Sequence, residues 1–93
     1  MGLYPFTIET ITISGATLLR QASWEVTDFV LVAPPTNTGA IIVKSRDNSG
    51  NFSSGSGFAI AKGTSVVVAG RADLLNLEAS GTNGDLLGIG YHR

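Results

Sequence analysis

The chain contains no cysteine, so no disulfide braces it and the redox compartment is left undetermined. Charge is scarce too. Asp, Glu, Lys and Arg make up 14% of the 93 residues, against about 25% in an ordinary domain. The basic residues Arg20, Lys44, Arg46, Lys62, Arg71 and Arg93 stand singly, and the net charge is −1. Without a basic stripe, neither nucleic acid nor an anionic membrane surface is an expected partner. The longest apolar run, residues 29–33, falls far short of the roughly 20 residues that span a bilayer. The opening MGLYPFTIET has no basic region and no sustained apolar region, so no secretory signal is expected. Phe6 stands where a myristoylation motif beginning at Gly2 needs Ser or Thr.

Residue types that carry chemistry are equally sparse. The one histidine, His92, is next to the last residue, a poor place for an oriented base and too little for a zinc site. The seven acids, Glu9, Glu25, Asp28, Asp47, Asp73, Glu78 and Asp85, are spread without a motif. General acid–base work needs two carboxylates brought to opposite sides of a substrate. Residues 47–51, DNSGN, supply one acid and no closing Glu, so they read as a turn rather than a calcium loop. No phosphate-binding glycine motif occurs. The sequence therefore predicts no enzyme, no cofactor and no metal.

What is present is β-forming. The chain is organised around residues 57–91, where four short apolar runs are punctuated by Lys62-Gly63, Gly70-Arg71 and Asn83-Gly84. Ahead of them, 6–14 (FTIETITIS) is rich in β-branched residues, but its apolar phase slips from Phe6 and Ile8 to Ile11 and Ile13. That slip predicts a bulge or a crossover between sheets, with Glu9 facing solvent on an edge. Residues 17–20 read as a short return strand. Residues 26–32, VTDFVLV, read as a central strand covered on both faces and ended by Pro34-Pro35. Residues 40–44 form a further strand, 46–57 a long Gly/Ser/Asn loop, and 58–60, 66–69, 74–79 and 86–91 the remaining strands, with Leu75 and Leu77 alternating inward. Leu87, Ile89 and Tyr91 share one face of the last strand. Gly88 and Gly90 share the other, where a backbone or ring can approach closely.

Seven or eight short strands in one domain, 1–93, predict an all-β antiparallel sandwich of jelly-roll type, or a small barrel. A chain this short hides only about 60–65% of its unfolded surface. With no disulfide and no metal expected, self-association is the predicted supplement.

Four residues are candidates for an interface or binding site. Trp24 is either a lid on the core at a strand entrance or an exposed ring that contacts a partner or stacks on a sugar. Phe52 either anchors the 46–57 loop or is an exposed contact. Tyr4 could join these aromatics in a sugar platform. Asp28, inside an apolar strand, points outward beside a partner, accepts hydrogen bonds from a turn, or serves a site.

The order of features over 38–91 resembles small β-sandwich virion proteins of tailed bacteriophages, both capsid-decorating and tail-associated. It is carried by the Thr38-Gly39 turn and the strand that follows, then Gly57-Phe58-Ala59-Ile60 and the Lys62-Gly63-Thr64-Ser65 hairpin. The closing strand Asn83-Gly84-Asp85-Leu86-Leu87-Gly88-Ile89-Gly90-Tyr91 completes it. Lys44 departs from that pattern, which often has glycine there. The resemblance implies a virion component, commonly a homotrimer, bound to a major capsid protein or tail protein. No individual site residue transfers with it. The alternative is a receptor- or carbohydrate-binding tip of a phage tail or fibre, motivated by Tyr4, Trp24, Phe52 and the long loop.

Overall fold

Short β-branched runs separated by Gly, Asn and Asp turns fold into strands rather than helices. The structure, a computed structural model, describes residues 6–45 and 57–92. In chain order the strands are β1 (Phe6–Thr12), β2 (Thr17–Leu18), β3 (Glu25–Ala33), β4 (Ile41–Ser45), β5 (Phe58–Ile60), β6 (Thr64–Asp73), β7 (Leu77–Ser80) and β8 (Leu86–His92). They form two four-stranded antiparallel sheets, a front sheet ordered β1-β8-β3-β6 and a back sheet ordered β2-β7-β4-β5. Pairing is nested: β1 with β8, β2 with β7, β3 with β6, and β4 with β5. The all-β antiparallel sandwich read from the sequence is the fold.

Most consecutive strands lie in opposite sheets, so their turns are arches rather than hairpins. The Lys62-Gly63 turn carries the chain from β5 in the back sheet to β6 in the front. It closes with Gly63 N–H donating to the Ala33 carbonyl at 2.7 Å. The Asn83-Gly84 turn likewise links β7 to β8 across the sandwich, with Gly84 at φ +95° and its N–H on the Ile13 carbonyl. Both were expected as hairpins. Their turn chemistry is as read, but the flanking strands find other partners.

The core fills the space between the sheets. Phe29 and Leu31 of β3 and Leu87, Ile89 and Tyr91 of β8 face Ile41 and Val43 of β4 and Ala79 of β7, each at most 1% exposed. Alternation along β8 produces this directly, with the large side chains inward and the glycines outward.

Four expectations need correction. β1 contains no bulge and does not cross over: its register with β8 is unbroken from Phe6↔His92 to Thr12↔Leu86. Inward phase is held by Ile11 and Glu9, so Glu9 faces the space between the sheets and Ile8 is the residue turned out. The irregularity falls in β3 instead, between Thr27 and Phe29, where Asp28 adopts φ 51°. β3 is central as expected but covered on one face only, and Val32 on its outer face is 39% exposed. Residues 64–73 form one strand through Gly70, whereas residues 74–76 wind into a 3-10 turn. The turn forms because the Asp73 carboxylate caps it by accepting from the Leu75 N–H. Leu74 and Leu77 are consequently buried, in place of the expected pair Leu75 and Leu77.

Two buried polar side chains fasten the connection after β3. Asn37 behaves like a strand residue, donating to the Leu86 carbonyl at 2.9 Å and accepting from the Leu86 N–H at 2.8 Å. Asp85 accepts from the Thr38 and Gly39 N–H groups at 2.8 and 3.1 Å, one to each carboxylate oxygen. The Thr38 N–H is the main reason the Asp85 carboxyl lies below the usual carboxylate range. Asp73 is lowered as well, chiefly by the Ser23 hydroxyl and then by the Trp24 N–H. A carboxyl lowered in the fold stabilises fully above its unfolded pKa of about 3.9 and loses that contribution as pH falls through the folded value. Urea-unfolding midpoints should therefore be flat from about pH 7 to 5 and fall steadily below about pH 4. Asp85→Asn should lower stability at neutral pH and flatten the acid limb; an unchanged limb would remove Asp85 as its source.

Candidate functional site

The outer face of the front sheet is built by strand register. Ile8, Gly90, Val30 and Val67 lie in one row across β1, β8, β3 and β6, and Thr10, Gly88, Val32 and Ser65 lie in the next. None of the eight is charged. Ile8 is 72% exposed and Val67 74%, and these are the two edge-strand members of the first row. Between the edges, the glycines of β8 drop the floor by a side-chain depth. The result is an open groove of about 320 Å³ flanked by Ile8 and Thr10 on one side and Val30 and Val32 on the other. Pro34 and Leu86 also line it.

The fold itself does not demand the glycine at 88. Neither Gly88 nor Gly90 takes a positive φ. A Cβ at Gly88 would meet Val32 Cβ at 3.6 Å and the Val32 carbonyl oxygen at 3.7 Å, ordinary contacts that need no shift. Gly57 is different: at φ +33°, its Cβ would stand 2.3 Å from the Val43 carbonyl oxygen. Glycine in a strand interior costs about 0.5–1 kcal/mol relative to alanine. Gly88 therefore keeps the outer groove open at the expense of the isolated chain.

Behind this face sits the polar cluster that fixes it. Arg20 Nη1 contacts Glu9 Oε2 at 2.6 Å and donates to the Tyr91 hydroxyl at 3.3 Å. The Tyr91 hydroxyl donates to the same Glu9 oxygen at 2.9 Å. The guanidinium lies over the Trp24 ring, 3.9 Å from its centroid. Both charged side chains are about one-third exposed, at 30% and 31%, so the ion pair contributes about 0.5–1 kcal/mol rather than the larger figure of a dry site. Burial pushes the Tyr91 phenol above its ordinary range, and the Glu9 carboxylate adds to the shift. The neighbouring indole of Trp24 and the Arg20 charge pull the other way.

Of the four sequence candidates the structure describes Trp24 and Asp28, and it gives them different surroundings. Trp24 is half-buried against the core, with one ring face taken by Arg20. Asp28 lies at the β3 bulge, exposed, its carboxylate accepting from the Gly70 N–H at 2.8 Å. Tyr4 and Phe52 lie outside the described residues. The residues that make the open face, Ile8, Val30, Val32 and Val67, were not singled out. The signal for them was the phase slip of β1, which marks an apolar residue turned out beside an acid turned in.

The remaining acids among the described residues are committed to structure. Glu25 pairs with Arg71 at 3.3 Å, Glu78 with Lys44 at 3.7 Å, and Asp73 and Asp85 hold backbone N–H groups. Among the described residues no three His, Cys, Asp or Glu side chains converge as a metal site, and no helix is long and apolar enough to cross a membrane. Comparison of the sequence with protein-family models and with curated proteins gives no match to either.

The two sides of β1 should respond oppositely to substitution. Ile8→Thr, on the open side, should change the unfolding free energy of the isolated chain by less than about 0.5 kcal/mol. Tyr91→Phe, on the closed side, should cost about 1 kcal/mol at pH 7 by stripping the Glu9–Arg20 pair of a hydrogen bond. A phenol raised in the fold stabilises below its unfolded pKa of about 10 and loses that contribution as pH rises through the folded value. Tyr91→Phe should accordingly flatten the alkaline limb above about pH 10. Equal effects of the two substitutions at neutral pH would contradict this assignment of faces.

Proposed function

We propose that this chain is a non-enzymatic structural protein of an assembled particle, a bacteriophage capsid decoration or cement protein held there as an oligomer. One observation carries the reading: two successive rows on the outer face of the front sheet, running across all four strands, carry no charge, and their edge members Ile8 and Val67 stand exposed. In β1 the acid that belongs outside by ordinary patterning is turned in, and an isoleucine is turned out. A contiguous exposed apolar patch of this kind marks a contact surface.

Two further features support the reading. Nested pairing, β1 with β8 through to β4 with β5, supports a jelly-roll reading of the sandwich, an architecture used by viral capsid and lectin domains. Fold alone does not decide between those uses. Here the Trp24 ring is covered on one side by Arg20 and packed against the core, which leaves it poorly placed as a sugar platform. The resemblance of residues 38–91 to phage virion β-sandwiches supplies the setting.

Quantitative mass spectrometry of gradient-purified phage particles from the source tests this. The chain should be present in a fixed ratio to the major capsid protein or a tail protein. Its absence from purified particles, with the protein abundant in the infected-cell lysate, would overturn the reading.

A further inference from the structure

We propose that the open face of the front sheet seats a second copy of this chain, packed face to face about a two-fold axis running along the strands midway between β8 and β3. The inference rests on the reading of the chain as an assembly component, and it names the partner of that face.

The sheet order makes the face complementary to itself. An axis midway between β8 and β3 exchanges β8 with β3 and β1 with β6, because the order is β1-β8-β3-β6. Each row then maps onto itself. In the first row, Val30 of one copy lies over Gly90 of the other, and Ile8 lies over Val67. In the second, Val32 lies over Gly88, and Thr10 lies over Ser65, hydroxyl against hydroxyl. The valine ridge of β3 thus fills the glycine groove of β8 twice, once in each direction. Such a reciprocal contact is what a two-fold interface requires. Ile8 and Val67, the most exposed large hydrophobic side chains among the described residues, cover one another in the same operation.

Charge is consistent with a like partner. A face presented to its own copy must carry no net charge of one sign, and neither row carries any charge. The adjoining row toward the β3 bulge, Phe6, His92, Thr27 and Arg71, brings Arg71 into the contact, where it is paired with Glu25 of its own copy, and the two-fold sets it over the Phe6 position rather than over a second Arg71. Area sets the strength. Four strands at about 4.8 Å by about seven residues at 3.4 Å give about 450 Å² per copy, or about 900 Å² in all. That falls below the roughly 1,000 Å² of a stable specific interface and in the range of weak, transient contacts, so micromolar rather than nanomolar pairing is expected. Sheet twist offsets the two strand directions by about 30°, which moves the edge contacts most and the central valine–glycine contacts least.

Sedimentation equilibrium of the full chain from about 1 to 200 μM tests the proposal, alongside far-UV circular dichroism. The wild type should shift from the 9.6 kDa chain toward twice that mass, with a Kd in the micromolar range. Val32→Lys should abolish pairing, and Gly88→Ala should weaken it at least about tenfold while leaving the fold intact. Ile42→Lys, at a similar exposure on the back sheet (38% against 39%), should leave pairing unchanged. A monomer at 200 μM, a trimer, or a dimer indifferent to Val32→Lys would each overturn the two-fold pairing. A chain that stays monomeric in solution yet is present in fixed ratio in particles would sink the self-pairing alone. A solution dimer missing from particles would sink the virion reading alone.

Discussion

The structure depends on the contact that holds Glu9 inward. A strand presents its side chains alternately to two faces, so fixing one residue fixes the phase of its neighbours. Arg20 and the Tyr91 hydroxyl both reach the Glu9 carboxylate, and that places Ile11 in the partly buried layer on the inner side and Ile8 on the outer surface. The opposite phase of β1 would bury Ile8 and expose Glu9, the usual preference of both side chains, but it would turn Ile11 away from the core, so the Glu9 contacts and Ile11 together hold the observed phase. The ion pair contributes little net energy at its exposure. Its effect is on register, and through register on the chemistry of the outer face.

The same contact joins the two layers. Glu9 and Tyr91 belong to the front sheet, while Arg20 follows β2 of the back sheet and covers Trp24 at the start of β3. Asp73 acts in a comparable way nearby, holding the Trp24 N–H and the Leu75 N–H in one carboxylate. Asn37 and Asp85 fasten the connection after β3 to the start of β8. In a sandwich this thin, where so few residues can be fully buried, such polar clasps place the strand ends that the core cannot reach.

Periodicity made much of the fold legible. Leu87, Ile89 and Tyr91 on one side of β8, with glycines on the other, read correctly because their alternation is strict. The turns at Lys62-Gly63 and Asn83-Gly84 were also visible, since only glycine adopts φ near +81° and +95° without strain. What those turns join was not legible. A tight turn fixes the reversal of the chain, and whether the flanking strands bond to each other or to strands far away is decided by the whole sheet. The 3-10 turn after Asp73 was hidden for a related reason: Leu74 to Ala79 alternates well enough for a strand, and a single carboxylate cap tips its first turn. The open face was hidden by an assumption, that an isoleucine out of phase signals a bulge rather than a surface.

Gly88 and Gly90 carry the last step of the argument. In an isolated chain, alanine at Gly88 would strengthen β8, which is paired on both sides and central to the sheet. Gly88 meets no steric need within the fold, because a methyl group there makes ordinary contacts. Flat apolar sheet faces are indiscriminate, and charges, the usual remedy, are absent from these rows. A groove one strand wide, bordered by a valine ridge of matching length, supplies discrimination by shape instead. Only a surface with a ridge at that spacing fills it, and the adjacent strand of the same sheet presents such a ridge to any copy that approaches.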